Sequence, residues 1–249
     1  MEATRPTLKP SVSSVDEERA VKEEKVPVTY QGRKTSRAGS ELRRKAILEA
    51  ALRIVVRDGV RGVRHRAVAK EADVPLSATT YYFKDISDLI TDTFTLFAEV
   101  GTEKYRNFWG ESKEQLINAL LELKADPASK ERVMTSVVEV IVHYLRNQLL
   151  NHRDYLLAEQ AFRLESLRND NLKQIAEKHT GLFLKDLTEL FVVIGSESPE
   201  ADATLLMQLI YSAEYEGLLR PEGEFDEVWA RKLFMRGLQL FIGTLFASK

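Results

Sequence analysis

The chain has 249 residues, 44% of them hydrophobic and 30% charged, with a formal net charge of −2 and no cysteine. That length accommodates a small head and one larger body, and the missing cysteines exclude disulfides, thiolate metal sites and cysteine nucleophiles. No apolar run is long enough to span a bilayer and no signal peptide opens at Met1, so a soluble cytoplasmic protein without a membrane partner is expected.

Residues 1–39 carry Pro, Ser, Thr and charges without sustained periodicity and read as a disordered tail. Its first part is acidic (Asp16-Glu17-Glu18, Glu23-Glu24), whereas Gln31 to Arg37 is a basic arm against the first helix. The arm either lies along a nucleic-acid backbone or serves as a solubilising tail. Between Gln31 and Lys84 stand thirteen Lys and Arg against five Asp and Glu, so the rest of the chain is acidic. Positive charge gathered in one segment of a near-neutral chain fits a phosphate binder with an acidic body.

From Ser40, a plausible N-cap, helical periodicity recurs at about 40–58, 64–72, 75–83, 86–108, 112–124, 129–150, 153–167, 169–194, 200–219 and 226–247. The breaks fall at Gly110, Asp126-Pro127, Gly195 to Pro199, and Pro221-Glu222-Gly223. Nothing reads as strand, and the fold class is all-α. The stretch of 64–83 is the most informative. Val68, Ala69 and Ala72 give one short helix a small apolar face. Asp73-Val74-Pro75 ends it, because Pro75 lacks an N–H and pushes the preceding residue towards extended geometry. A second short helix then runs through Leu76 to Phe83. Two short helices at a steep angle, the second bearing hydroxyls and aromatics, suit a helix-turn-helix entering a major groove.

These residues resemble the DNA-binding head of the TetR/AcrR family of bacterial transcriptional repressors. The resemblance rests on the amphipathic helix Ala46-Ile47-Leu48-Glu49-Ala50-Ala51, on Val68-Ala69 and Ala72-x-Val74, and on Tyr82-Phe83 ahead of Asp88-Leu89. It covers residues 40–101. Arg64 stands where the family usually has Thr or Ser, Asp73 where it has Gly, Ser77 and Thr80 where Gly and Tyr are frequent, and Ile86 where a Lys is common. The resemblance implies a three-helix head at 40–101 and a helical effector-binding and dimerisation body at 102–249. It also implies a homodimer on double-stranded, palindromic operator DNA, released by a small-molecule effector. DNA contacts are expected from Ser77, Ala78, Thr79, Thr80, Tyr81 and Tyr82, with His65, Arg66 and Lys84 on flanking phosphates.

In the body, the helix at 129–150 is apolar nearly all round and should be central. It nevertheless carries Ser136, Glu139, His143 and Asn147 at helical spacing, a stripe that either lines a cavity or faces solvent. Aromatics cluster nearby, Phe108, Trp109 and Phe183 among them, together with Phe94, Phe97, Tyr105, Tyr144, Tyr155 and Phe162. Such stripes are often core, but family bodies enclose a pocket. The last six, with Glu139, His143 and Arg163, form the expected lining, and Glu159 and Gln160 are further polar guides. The last two helices have apolar faces at Leu209, Ala213 and Gly217 and at Leu238 and Phe241. Either these are internal core, or they pair with their mates in a four-helix bundle, as the resemblance implies. The four histidines (His65, His143, His152, His179) form no metal motif, and no catalytic motif, nucleophile elbow or phosphate loop is present. The expectation is a regulator and not an enzyme, with no cofactor or metal. A protein of the same fold that answers to a protein partner, or organises DNA, stands as the alternative.

Overall fold

The computed structural model describes residues 30–33 and 38–247. Residues 1–29 and 34–37, most of the tail expected to be disordered, lie outside the described residues, as do 248–249. Among the described residues there is no strand, and nine α-helices follow one another: α1 (Ala38–Asp58), α2 (His65–Glu71), α3 (Leu76–Tyr82), α4 (Ile86–Ala125), α5 (Lys130–Asn151), α6 (Arg153–Ser166), α7 (Asp170–Ile194), α8 (Pro199–Leu218) and α9 (Glu227–Ala247). The sequence signals at their ends are used as chemistry predicts. Asp85 caps α4 by accepting from the Ser87 N–H at 2.9 Å. Asn169 caps α7, accepting from the N–H groups of Asn171 and Leu172 at 3.0 and 3.3 Å. Gly195 ends α7 at φ 82°, a left-handed C-cap open to glycine. Pro199 occupies the first turn of α8, where its missing N–H costs nothing.

Two sequence expectations are corrected. Ser40 is not the N-cap, since α1 begins at Ala38; its hydroxyl instead meets the Tyr82 phenol at 2.8 Å. Gly110 does not interrupt a helix: α4 runs unbroken for 40 residues, about 60 Å at 1.5 Å per residue. A mid-helix glycine costs about 0.5–1 kcal/mol. Trp109, Leu116 and Leu120, buried with Leu190 of α7 on either side of it, outweigh that cost.

Ile47, Leu48 and Ile54 of α1, Val68 of α2 and Phe83 after α3 close the head around a common core. This core continues into the body through Phe94 and Phe97 of α4, Phe162 of α6 and Leu172 of α7. The Phe94 and Phe162 rings stack at 4.5 Å. A second core joins α5 (Val138, Leu145), α8 (Leu206, Ala213) and α9 (Phe234, Leu238, Phe241). Four residues expected at a subunit interface therefore face inward: Ala213, Leu238 and Phe241 belong to this core, and Gly217 sits so close to Leu149 that a Cβ would collide with it. The fifth, Leu209, is half-buried against Gly237. The sequence shows only that α8 and α9 carry apolar faces; α5 occupies the ones that were assigned outward.

Candidate functional sites: the head and the body cavity

Departures from the family pattern in the head have visible consequences. Arg64, at the N-cap of α2, makes no side-chain cap hydrogen bond. Asp73, in the turn, sits at φ 51°, in the left-handed region that Asp tolerates better than most residues. The turn sets α3 against α2 with one outward face. Ser77, Thr80 and Tyr81 are exposed on it and Ala78 is partly so. Thr79 and Tyr82 are not: both are buried, Thr79 donating its hydroxyl to the Leu76 carbonyl at 2.8 Å and Tyr82 pairing with Ser40. A seven-residue helix cannot turn six consecutive side chains to one side, so these two leave the expected contact set. Arg66 of α2 and Lys84, just past α3, are exposed. His65 is half-buried, and its Nδ1 lacks a hydrogen-bond partner.

A further contribution to the head escaped the sequence reading. Tyr30–Arg33, within the segment expected to be disordered, packs against it: the Gln31 and Gly32 N–H groups donate to the Asp92 carboxylate at 2.6 and 2.9 Å. Burial raises the Asp92 carboxyl above its ordinary range, against the two N–H groups and the Arg44 charge that hold it down. No motif signals this contact, because it joins residues about sixty positions apart.

The body holds a cavity of about 130 Å³ between α4, α5, α6, α7 and α8. Lys104, Tyr105, Phe108 and Trp109 come from α4, Ile141 and Tyr144 from α5, Tyr155 and Glu159 from α6, His179 and Phe183 from α7, and Tyr211 from α8. Of the expected lining residues, Tyr105, Tyr144 and Tyr155 are present. Phe94, Phe97 and Phe162 are absent from it because they fill the head–body joint. Glu139 and His143 are exposed, and Glu139 forms an ion pair with Arg231 of α9. The polar stripe of α5 thus faces solvent, the alternative the sequence left open. Arg163 is exposed too and stacks on the Tyr211 ring at 4.2 Å without lining the cavity.

Of the expected polar guides Glu159 lines the cavity and Gln160 does not, whereas Glu214 was missed. Glu159 is 8% exposed, and Glu214 (1% exposed) stands behind Tyr144, whose hydroxyl donates to it. Burial pushes the Glu159 carboxyl up to about 7, while the Arg163 charge pulls the other way. Burial and the neighbouring Glu159 charge raise the Glu214 carboxyl well above the usual range. His179, bonded to Thr102 and Tyr155 at 3.3 Å each, is held neutral, its pKa lowered by burial to about 4. Among the buried polar atoms without a partner are Trp109 Nε1 and Gln148 Oε1, both on residues of the wall, and Glu214 Oε2. Among the described residues no three His, Asp or Glu stand where they could share a metal ion, and no helix is long and apolar enough to cross a membrane.

Comparison with known proteins agrees with this architecture. The family described as "Tetracyclin repressor-like, C-terminal domain" matches residues 128–239. The HTH-type transcriptional regulator PksA of Bacillus subtilis (strain 168) is 31% identical over 96 residues, 37% of this chain. The match spans 46% of that relative's length. A TetR-family member from Streptomyces coelicolor A3 is 26% identical, with a TM-score of 0.52 over 78% of this chain and 97% of its own. The multidrug binding protein EbrR, solved in complex with ethidium, is 26% identical, with a TM-score of 0.50 and the same coverage of 78% and 97%.

Proposed function

We propose that the chain is a TetR-family transcriptional regulator and not an enzyme, a cytoplasmic, sequence-specific DNA-binding repressor acting as a homodimer. Its head spans residues 40–101 and its effector-binding and dimerisation body residues 102–249. The observation that carries the reading is the continuity of α4. One helix runs without a break from the capped turn after α3 to the wall of the cavity. A ligand that displaces Tyr105 or Trp109 moves a rod whose other end bears the head. Tilting it changes the distance between the recognition helices of two subunits, and mis-spaced heads cannot engage two half-sites together.

The effector is a flat aromatic cation. Aromatic rings and aliphatic side chains share the wall, and a carboxyl group, Glu159, stands among them. The unpartnered Trp109 N–H and Gln148 carbonyl add one donor and one acceptor for a ligand to meet. Lys104 shares the wall, its ammonium 3.2 Å from His152 Nδ1 and over the Tyr155 ring at 5.3 Å, and burial lowers its pKa, which weakens its charge against a cation. A relative solved with ethidium points the same way. A cavity of this kind favours a small ligand over a protein partner as the signal.

Selection from a random duplex library, followed by titration of the retained sequence, tests the proposal. Tyr81→Ala should lose discrimination between selected and random duplexes by about 1–3 kcal/mol, and Arg66→Ala should weaken both alike. Ethidium should release the protein from the selected duplex. It also intercalates, so the release must be lost in a Tyr105→Ala protein on the same DNA. A library that yields no enriched sequence refutes the reading.

A further inference from the structure

We infer that Tyr30–Arg33 is a second DNA-contacting element, a strap that Asp92 holds across the end of the recognition helix so that Arg33 meets a backbone phosphate beside Tyr81. The inference rests on the DNA-reading role proposed for α3.

The strap is built, not draped. Asp92 lies on α4 and is fully buried, so its carboxylate needs partners. It takes them from the Gln31 and Gly32 N–H groups and from Arg44 of α1 at 3.3 Å. Gly32 is itself buried, and a Cβ there would come within 2.7 Å of the Phe83 ring and 2.9 Å of the Asp92 carboxylate. Only glycine lets the backbone lie this close. On one side Tyr30 is fixed by the Arg44 guanidinium over its ring at 4.2 Å and by donating to Glu99. On the other, the Arg33 N–H donates to the Tyr82 carbonyl at 2.9 Å, satisfying a carbonyl at the C-terminal end of α3.

That anchoring leaves one side chain with no structural duty. Arg33 is exposed, its guanidinium lies 4.4 Å over the ring of exposed Tyr81, and among the described residues no carboxylate pairs with it. A guanidinium held flat on an aromatic ring has already lost much of its rotamer freedom and keeps its donors available. It stands on the same outward surface as Tyr81, with Lys84 exposed two residues past the end of α3. An anion on that surface meets a prepaid cation, and a duplex read by Tyr81 puts a phosphate within its reach. A strap that only sealed the core would have no need of a charge at this position.

The experiment compares wild type, Arg33→Ala, Gly32→Ala and the double variant on the duplex enriched from the random library and on a random duplex, across a salt series. Arg33→Ala should bind both duplexes about three- to tenfold more weakly, and the slope of log affinity against log salt should fall by about one for each head. Gly32→Ala lifts the strap without removing any charge and, because it also strips the buried Asp92 of two donors, should match Arg33→Ala under conditions where circular dichroism shows the head folded. The double variant should be no weaker than either, because both changes remove one contact. Arg33→Ala alters a surface side chain alone, so its fold should be untouched and its circular dichroism unchanged. Wild-type affinity and slope in Arg33→Ala would overturn the inference, as would a double variant much weaker than Arg33→Ala, which would make the strap a prop for the head. Failure of the wild type to bind any duplex would instead refute the DNA-reading role beneath it.

Discussion

Glu159 decides how the cavity treats charge. Its carboxyl, pushed up to about 7 by burial, is largely neutral below that pH and ionised above it. A cationic ligand should therefore bind more tightly as pH rises through about 7, measured by ethidium fluorescence between pH 6 and 8, and Glu159→Gln should flatten the profile. The same shift has a stability consequence. A carboxyl whose folded pKa is raised contributes stability that is present below its ordinary pKa and lost as pH rises through the folded value. Glu159→Gln should thus be more stable than wild type at pH 8 by up to about 3 kcal/mol, with the gap narrowing as pH falls from 7 and closing only below the ordinary carboxyl pKa of 4.5. A chemical-denaturation series that shows no such convergence would mean that Arg163 neutralises the group in place. At this scale the sequence was readable where a residue's own backbone chemistry mattered, as at Asp73 and Arg64. It was unreadable where helical phase mattered: Thr79 and Tyr82 look as reactive as Ser77 and Tyr81, and only the packing of α3 on Ser40 and the head core separates them.

Helix ends were legible where turn residues punctuate them, as at Gly195 and Pro199, whereas the cap expected at Ser40 fails because α1 begins at Ala38. The continuity of α4 was not legible, since a lone glycine weakens a helix by less than distant packing restores. Gly110 is exposed and a Cβ there would meet nothing within 4 Å. Gly110→Ala should therefore stabilise the chain by about 0.5–1 kcal/mol, mostly by narrowing the unfolded ensemble. Thermal denaturation checks this, and a lower melting temperature would show that α4 must bend there. If α4 transmits by tilting as a rod, the substitution should leave ethidium-driven release intact or sharpen it, whereas a helix that works by flexing at Gly110 would lose its response. The polar stripe of α5 fails as a guide for a related reason. Glu139 and His143 share a face, but the partner of that face is Arg231 of α9 and solvent, which periodicity along α5 cannot report.

The proposed dimer would use whichever apolar surface is left over once the monomer's core is closed. α8 is apolar on two sides. Its inner side (Leu206, Ala213, Gly217) is spent on α5 and α9. Its outer side carries Leu205 and Tyr215 with the polar Gln208 and Ser212 between them, and Leu219 follows just past its end, all exposed, with Leu205 at 55%. α9 adds exposed Val228 and Leu240. A stripe of this kind, on the two helices that the family resemblance assigns to pairing, is where a second copy would dock, each buried leucine contributing about 1.5–3 kcal/mol. The substitutions that separate inner from outer face are Leu205→Glu and Ala213→Glu. Leu205→Glu places a charge opposite its own symmetry mate, in a surface that is wet in the monomer. It should give a helical monomer at micromolar concentration by light scattering, with operator affinity cut by far more than tenfold because one head makes half the contacts. Ala213→Glu forces a charge into a site 1% exposed and next to the buried Glu214, and should unfold the body. A Leu205→Glu protein that stays dimeric would move the interface off this stripe, and a folded monomer from Ala213→Glu would return it to the face that the core now occupies.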